Sequence, residues 1–243
     1  MHSARILSSL AATFAVCGPV LAADAVPAEA LRPFEASYAW NWRGMTVAIS
    51  TLKLEHREGD IWMYSSKSEP RGLGRLFSER PTQQSVMRVT EDQRVQPLSY
   101  DAVAGTSATK RDAHVKFDWV QGRVTGVYED VQVDLPLKPG VQDDLSVQIA
   151  MLVQLQQGQT PENLSMIDKN TIRDYRYRRE GEEKITTPIG QIDTVIYSSQ
   201  HVGSPRVTRF WCAPAYGYLP MRVEQKRIDS LEWSMEIQRF KRD

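Results

Sequence analysis

The sequence predicts an all-β protein with one main helix: a curved antiparallel sheet or partly closed β-barrel, with the helix covering its mouth or inner face. Apolar and polar residues alternate with a period of two along most of the chain from Phe34 onward. Turn signals such as "REGD" at 57–60 and "TPIG" at 187–190 separate the alternating segments. One segment, 144–157, has helical spacing instead. Many short strands with a single helix favour this class of fold.

The alternating segments are short enough to be strands joined by tight turns. Successive side chains of a strand point to opposite faces, so each segment is expected to bury one face and expose the other. The predicted strands are 34–42, 47–56, 61–68, 86–90, 97–103, 114–120, 123–128, 131–135, 164–168, 172–179, 184–187, 192–201, 206–212, 218–228 and 231–237.

The helix over 144–157 has recognisable signals at both ends. The Asp143–Asp144 pair is explained by capping, because a carboxylate there can accept hydrogen bonds from the free amides of the first turn. Gly158 suits the left-handed conformation at which helices commonly end. An apolar stripe predicts packing of one side against the sheet. It is formed by Leu145, Ile149, Leu152, Val153 and Gln156.

The first 22 residues have the composition of a secretory signal peptide. Arg5 gives a positive start, an apolar run covers 6–16, and small residues precede a cleavage point after Ala22. The run is shorter than the ~20 residues of a membrane-spanning helix, so we favour a cleaved signal over a retained anchor. Residues 23–243 then form a single β-rich domain, since no linker or repeat divides them.

A lipoprotein signal acylated at Cys17 is the rival reading of this segment. Val16 precedes that cysteine, where such signals require a small side chain, so we favour a periplasmic protein without a lipid anchor.

Cleavage leaves 29 basic and 30 acidic side chains, a net charge of −1. A near-neutral protein has no overall field to attract nucleic acid. Cys212 alone remains after cleavage, which rules out an internal disulfide.

The sequence identifies no catalytic residue, metal ligand or cofactor. Cys212 lies in "WCAPA", where alanine replaces the second cysteine of a dithiol motif, so we interpret it as an inert thiol. Ser204 lies near His201 but lacks a nucleophile elbow. These observations favour a non-enzymatic protein. The alternative is a hydrolase whose active site is assembled from residues on distant strands. No ligand-spaced pair occurs among the three histidines that remain after cleavage, which are His56, His114 and His201.

Aromatic residues of the first strand suggest a ligand-binding interior. Alternating aromatics on one face mostly fill a core, but a barrel interior of this size can keep a cavity. The glycine-containing loop 69–81 is either a partly apolar flap or an ordinary connection with one helical turn. The candidate wall residues are Phe34, Tyr38, Trp40 and Trp42, and the candidate rim residues are Leu73, Leu76 and Phe77.

The stretch "RDYRYRRE" at 173–180 interleaves basic and aromatic residues. Such a pattern can contact anionic groups, including lipid headgroups. The alternative is an exposed sheet face whose arginines pair with acids on neighbouring strands. The candidate contacts for an anionic group are Arg173, Tyr175, Tyr177 and Arg179, which share one face of the predicted strand.

Five stretches of the chain, taken in order, carry a resemblance to a known family: "FEASYAWNWRGM" (34–45), "RGLGRLFSERPTQQSVM" (71–87), "DDLSVQIAMLVQL" (143–155), "YRYRREGEEKITTPIGQIDTV" (175–195) and "FWCAPAYGYLPMRVEQ" (210–225). Together they resemble a family of bacterial envelope proteins, domain-of-unknown-function family 3108. The resemblance implies a secreted or periplasmic all-β protein of unestablished activity, and it brings no catalytic motif. A looser likeness of fold connects the chain to the open β-barrel carriers that move lipoproteins across the periplasm.

Together these observations predict a periplasmic, non-enzymatic protein that is not membrane-spanning after signal cleavage. It would bind a hydrophobic or amphipathic envelope component, such as a lipid or acyl group, on the concave face of its sheet. One alternative is a protein-interaction or assembly factor of the cell envelope with a filled core. A second is a hydrolase with a non-local site.

Overall fold

A computed structural model describes residues 31–77, 80–105, 111–161 and 163–242. The predicted signal peptide, residues 1–22 with Cys17, lies outside the described residues. The described chain contains one α-helix, α1 (Ser146–Gln156), and fifteen strands. The strands are β1 (Phe34–Trp42), β2 (Met45–His56), β3 (Ile61–Pro70), β4 (Thr82–Val89), β5 (Val95–Val103), β6 (Ala113–Asp118), β7 (Arg123–Tyr128), β8 (Val131–Pro136), β9 (Val141–Gln142), β10 (Asn163–Asp168), β11 (Thr171–Thr187), β12 (Gly190–His201), β13 (Arg206–Ala213), β14 (Leu219–Arg227) and β15 (Ser230–Arg242).

All fifteen strands belong to one sheet whose first and last strands meet in its middle. The order from edge to edge is β8-β7-β6-β5-β4-β3-β2-β1-β15-β14-β13-β12-β11-β10-β9. Every pairing is antiparallel except that of β9 with β10. Strands that follow each other in sequence are neighbours in the sheet, except β8 and β9, which lie at its two opposite edges. The predicted class, a curved antiparallel sheet with one main helix, is confirmed.

The sheet curls until its two halves approach each other, but it does not close. Lys169, in the turn between β10 and β11, places its Nζ 2.8 Å from a carboxylate oxygen of Glu129, in the turn between β7 and β8. The backbone amide of Asp134 on β8 donates to Oδ1 of Asn170 at 3.3 Å. Among the described residues no backbone ladder joins β8 to β10. The structure is therefore an open, barrel-like sheet.

One strand differs clearly from its prediction. The segments 172–179 and 184–187 were expected to be separate strands, but they are parts of the single 17-residue strand β11. A register shift between Arg179 and Gly181 lets the chain continue past the glycine without leaving the ladder with β12. Glycine inside a strand therefore marks a bulge here, where a turn was expected.

The helix begins two residues later than predicted and ends one residue earlier. The Asp143 carboxylate accepts hydrogen bonds from the amides of Leu145 and Ser146 at 2.8 Å each, and the Ser146 hydroxyl accepts from the Asp143 amide at 2.9 Å. This reciprocal arrangement fixes the start of α1. Gly158 follows the helix with a φ of 73°, the left-handed exit that was predicted.

Nearly every side of α1 is buried, although a single apolar stripe was expected. The helix lies inside the curl of the sheet and contacts β4, β5 and β9. A helix that is apolar around most of its circumference is typical of such a buried position. No helix in the described ranges has the length and apolar character to cross a bilayer. The buried residues of α1 are Ser146, Val147, Ile149, Ala150, Met151, Leu152, Val153 and Leu155.

Candidate functional site

A cavity of about 450 Å³ lies between α1 and the concave face of the sheet. Seven of the described residues that line it are aromatic, and three are methionines, whose flexible thioethers adapt to irregular shapes. The aromatic lining residues are Tyr38, Trp40, Tyr64, Tyr175, Tyr177, Phe210 and Trp233. The methionines are Met151, Met166 and Met235.

Beside the cavity, at the Trp42 end of β1, lies a second hollow of about 640 Å³, which we call the mouth. Trp40 and Trp233 line both spaces, and their rings stack with centroids 4.8 Å apart. These two residues stand opposite Met235 and Trp42 respectively in the ladder between β1 and β15. The stacked pair therefore marks the boundary between cavity and mouth.

The mouth is bordered on one side by a short 3-10 helix, Gly72–Phe77, in the loop between β3 and β4. Gly74 packs against the backbone of Val47, so closely that an added Cβ would lie 2.0 Å from the Val47 carbonyl oxygen. Only glycine permits this approach. The described part of this loop thus forms a short 3-10 helix that is held against β2 at the mouth.

Buried tyrosines tie the cavity wall together. The Tyr38 hydroxyl donates to the backbone oxygen of Pro220 at 2.9 Å, across β1, β15 and β14. Tyr177 stacks on Phe210 with ring centroids 6.4 Å apart. Burial raises the pKa values of Tyr38, Tyr64 and Tyr177, so their hydroxyls stay neutral. The Tyr64 hydroxyl donates to Oε1 of Gln148 at 3.3 Å.

The two aspartates before α1 have different surroundings. Asp143 is completely buried, caps α1, and accepts a third hydrogen bond from the Ser85 hydroxyl at 2.7 Å. Burial raises its pKa to about 6, against the lowering effect of those hydrogen bonds. Asp144 lines the cavity, and its Oδ2 accepts from the hydroxyls of Tyr100 and Tyr128. Capping therefore explains Asp143 alone, contrary to the expectation for the pair.

The pKa of Asp144 is also raised, chiefly because the carboxyl is removed from water. Hydrogen bonds from Tyr128 and Tyr100 act in the opposite direction, and the nearby acids Asp168 and Glu129 raise the pKa further. Asp144 is the only acidic or basic side chain, tyrosine apart, among the described residues that line the cavity. The cavity is thus an apolar space with one acidic group in its wall.

The structure separates the four candidate wall residues. Tyr38 and Trp40 line the cavity, and Trp40 and Trp42 line the mouth. Phe34 lines neither space, because it lies in the packed core at the other end of β1, with ring centroids 6.0 Å from Tyr64 and 6.3 Å from Phe240. Alternation placed all four on one face, but it could not tell which part of that face is filled.

The candidate rim residues belong to the 3-10 helix beside the mouth. The side chain of Leu73 is 56% exposed and does not line the mouth, whereas Pro70, Gly74 and Pro81 do. The side chains of Leu76 and Phe77 lie outside the described part of the chain.

The four residues expected to contact an anionic group fall into two pairs. Tyr175 and Tyr177 line the cavity. Arg173 forms an ion pair with Asp168 at 2.8 Å, and Arg179 forms one with Glu182. Arg173 thus has an acidic partner on the neighbouring strand β10, whereas the partner of Arg179 lies on its own strand, β11.

Several lining residues were not among the sequence candidates. Trp233 and Met235 come from β15, Phe210 comes from β13, and Met151 and Asp144 come from α1 and the turn before it. Alternation in the last strand puts Trp233 and Met235 on one face, and this signal could have located them. For Met151 and Asp144 the sequence offers no comparable signal, because it does not show which side of the helix faces empty space.

The groups with reactive chemistry lie elsewhere. His114 is 2.8 Å from Asp101, but neither lines the cavity or the mouth. Cys212 is completely buried, which raises the pKa of its thiol and keeps it protonated. Within the described ranges, no three His, Cys, Asp or Glu side chains are close enough together to hold a metal ion.

Two solved structures are among those that match this chain. A β-barrel-like protein of the domain of unknown function DUF1849 from Brucella abortus has a TM-score of 0.57 and 8% sequence identity, covering 88% of this chain and 98% of its own. A protein with a YmcC-like fold from Bacteroides fragilis has a TM-score of 0.40 and 11% identity, covering 87% and 96%. The first similarity shows a shared β-barrel-like fold.

Comparison with curated protein sequences finds no match to this chain. The family described as "Protein of unknown function (DUF3108)" matches residues 34–229, which include β1 to β14 and α1. This match covers most of the chain and agrees with the resemblance found in its sequence. The chain therefore belongs to the DUF3108 family.

Proposed function

We propose that this protein binds a hydrophobic or amphipathic component of the cell envelope, such as a lipid or acyl group, in the cavity beneath α1. The observation that carries the proposal is the cavity itself. Its volume of about 450 Å³ lies within the roughly 300–1,000 Å³ of small-molecule sites, and its wall is mainly aromatic and aliphatic. Apolar surface left open in a protein interior gains free energy when a ligand covers it.

The mouth supplies a route from solvent to the cavity. Trp40 and Trp233 line both spaces, so a chain passing the stacked pair keeps apolar contact throughout. Trp42 is 46% exposed at the outer end of this route, where an aromatic ring can make the first contact with a lipid. This arrangement supports a carrier or sensor that takes up its ligand at the mouth.

The proposed location is the periplasm, after cleavage of residues 1–22. A periplasmic carrier would meet amphipathic molecules that must cross an aqueous compartment, and an apolar cavity would shield their chains. In the rival account, an assembly factor with a filled interior, the same space would close in solution and bind no small molecule.

The test is binding of the neutral apolar dye N-phenyl-1-naphthylamine to the purified protein, followed by its displacement with dodecan-1-ol. We expect saturable binding of one dye per chain. Substitution Thr208→Trp should abolish it, because Thr208 lines the cavity and the larger side chain would occupy the space.

The matched control is Thr125→Trp, on an exposed position of β7. Both variants are first checked for wild-type circular dichroism and a cooperative thermal transition. Unchanged dye binding by folded Thr208→Trp, or binding that never saturates in the wild type, would refute the proposal. The second result would favour the assembly factor.

A further inference from the structure

We infer that the ligand's polar end is an uncharged or cationic group that donates hydrogen bonds, such as a hydroxyl or an ammonium, and that it binds Asp144. The inference rests on the proposed function and specifies the chemical class of ligand for that cavity. It excludes amphiphiles whose polar end is a carboxylate or a phosphate.

Asp144 presents a hydrogen-bond acceptor to the cavity. Its Oδ2 accepts from the hydroxyls of Tyr100, at 3.1 Å, and Tyr128. Its Oδ1 accepts no hydrogen bond from the described residues, although Asp144 lines the cavity. Asp144 is only partly buried and Oδ1 is not among the fully buried atoms without a partner, so this oxygen is accessible to a hydrogen-bond donor on a ligand in the cavity.

The neighbouring amide of Gln148 does not compete for this oxygen. Its Nε2 donates to the backbone oxygen of Asp144 at 3.2 Å, and its Oε1 accepts from the Tyr64 hydroxyl at 3.3 Å. Both functions of the amide therefore have partners. This leaves the carboxylate as the acceptor at the N-terminal end of α1.

The distribution of charge around the cavity excludes an anionic polar end. No lysine or arginine is among the described residues that line it. Glu129 and Asp168 lie near enough to raise the pKa of Asp144, although their ion-pair partners Lys169 and Arg173 offset part of this negative charge. An anion at this position would face the Asp144 carboxylate with no lysine or arginine in the described cavity wall to offset it, whereas an ammonium or hydroxyl would form a favourable hydrogen bond.

The experiment compares three chains of equal length that differ only at the polar end: dodecylamine, dodecan-1-ol and dodecanoate. Each displaces N-phenyl-1-naphthylamine from the full-length mature protein. We expect the concentration of dodecylamine that displaces half of the dye to be at least about tenfold lower than that of dodecanoate. The value for dodecan-1-ol should lie between them. Asp144→Asn should remove most of the preference for the amine, because it replaces the carboxylate with a neutral group of the same shape.

The matched control is Asp101→Asn, an acid that lines neither the cavity nor the mouth and should leave the order unchanged. Equal displacement by all three chains would overturn the inference and leave the proposed function standing. Failure of all three to displace bound dye would count against both. If Asp144→Asn does not fold, the order measured on the wild type still decides, since dodecanoate competing as well as dodecylamine contradicts the inference.

Discussion

The two sides of α1 differ in how completely they are packed. Ile149 and Val153 belong to the main core, where their side chains are surrounded by those of the sheet. Val147 and Met151, one turn apart on another side of the helix, belong to a smaller cluster and line the cavity. One side of the helix therefore stabilises the fold by packing in the core, and another side borders the apolar cavity.

The difference extends to the two acids that precede the helix. Asp143 has all its hydrogen bonds within the protein and fixes the start of α1. One carboxylate oxygen of Asp144 accepts hydrogen bonds from two tyrosine hydroxyls, and the other has no donor among the described residues. Adjacent residues of the same type thus serve a structural purpose and, in our proposal, a ligand-binding one.

The largest expected effect compares alanine substitutions on the two sides of α1. Ile149→Ala should lower the free energy of unfolding by roughly 2–5 kcal/mol, because it opens a new cavity in a packed core. Met151→Ala should cost about 2 kcal/mol, at the low end of the same range, since one side of Met151 borders the cavity and has fewer contacts to lose. Urea denaturation of both variants measures the difference. Equal losses would mean that both sides are equally well packed.

The second prediction concerns the buried Asp143 and the pH dependence of the free energy of unfolding. The pKa of Asp143 is about 6 in the folded protein, against 3.8 for an ordinary aspartate, so the folded state holds this proton more tightly than the unfolded chain. Its contribution to stability is therefore present below about pH 4 and is lost as the pH rises through 6.

Relative to Asp143→Asn, the wild type should lose up to about 3 kcal/mol of stability across this window. Urea denaturation of both proteins at several pH values tests this expectation. Asparagine is the suitable comparison because its side-chain oxygen can still cap α1. If the free energies of unfolding of the two proteins changed with pH in parallel, the raised pKa of Asp143 would be contradicted.

Local patterns in the sequence predicted the elements of the fold and part of the cavity wall. Period-two alternation identified β1 and placed Tyr38 and Trp40 on the concave face, where they line the cavity. The capping position of Asp143 and the exit at Gly158 located α1 to within two residues. These features depend on residues close together in the chain, which is why the sequence alone could reveal them.

Features that depend on contacts between distant segments were missed. The hydroxyls around Asp144 come from Tyr100 and Tyr128, on β5 and β7, and no local pattern predicts that they meet. Tyr175 and Tyr177 were grouped with Arg173 and Arg179, because alternation alone does not distinguish a face turned into the cavity from an exposed one.

The most direct test of the central claim is a crystal structure of the protein with 12-bromododecan-1-ol, located by the anomalous scattering of bromine. We predict a bromine peak inside the cavity, among Trp40, Phe210 and Met235, with the hydroxyl of the alcohol directed at Asp144. A cavity filled by the protein's own side chains, with bromine found only on the outer surface, would contradict the account.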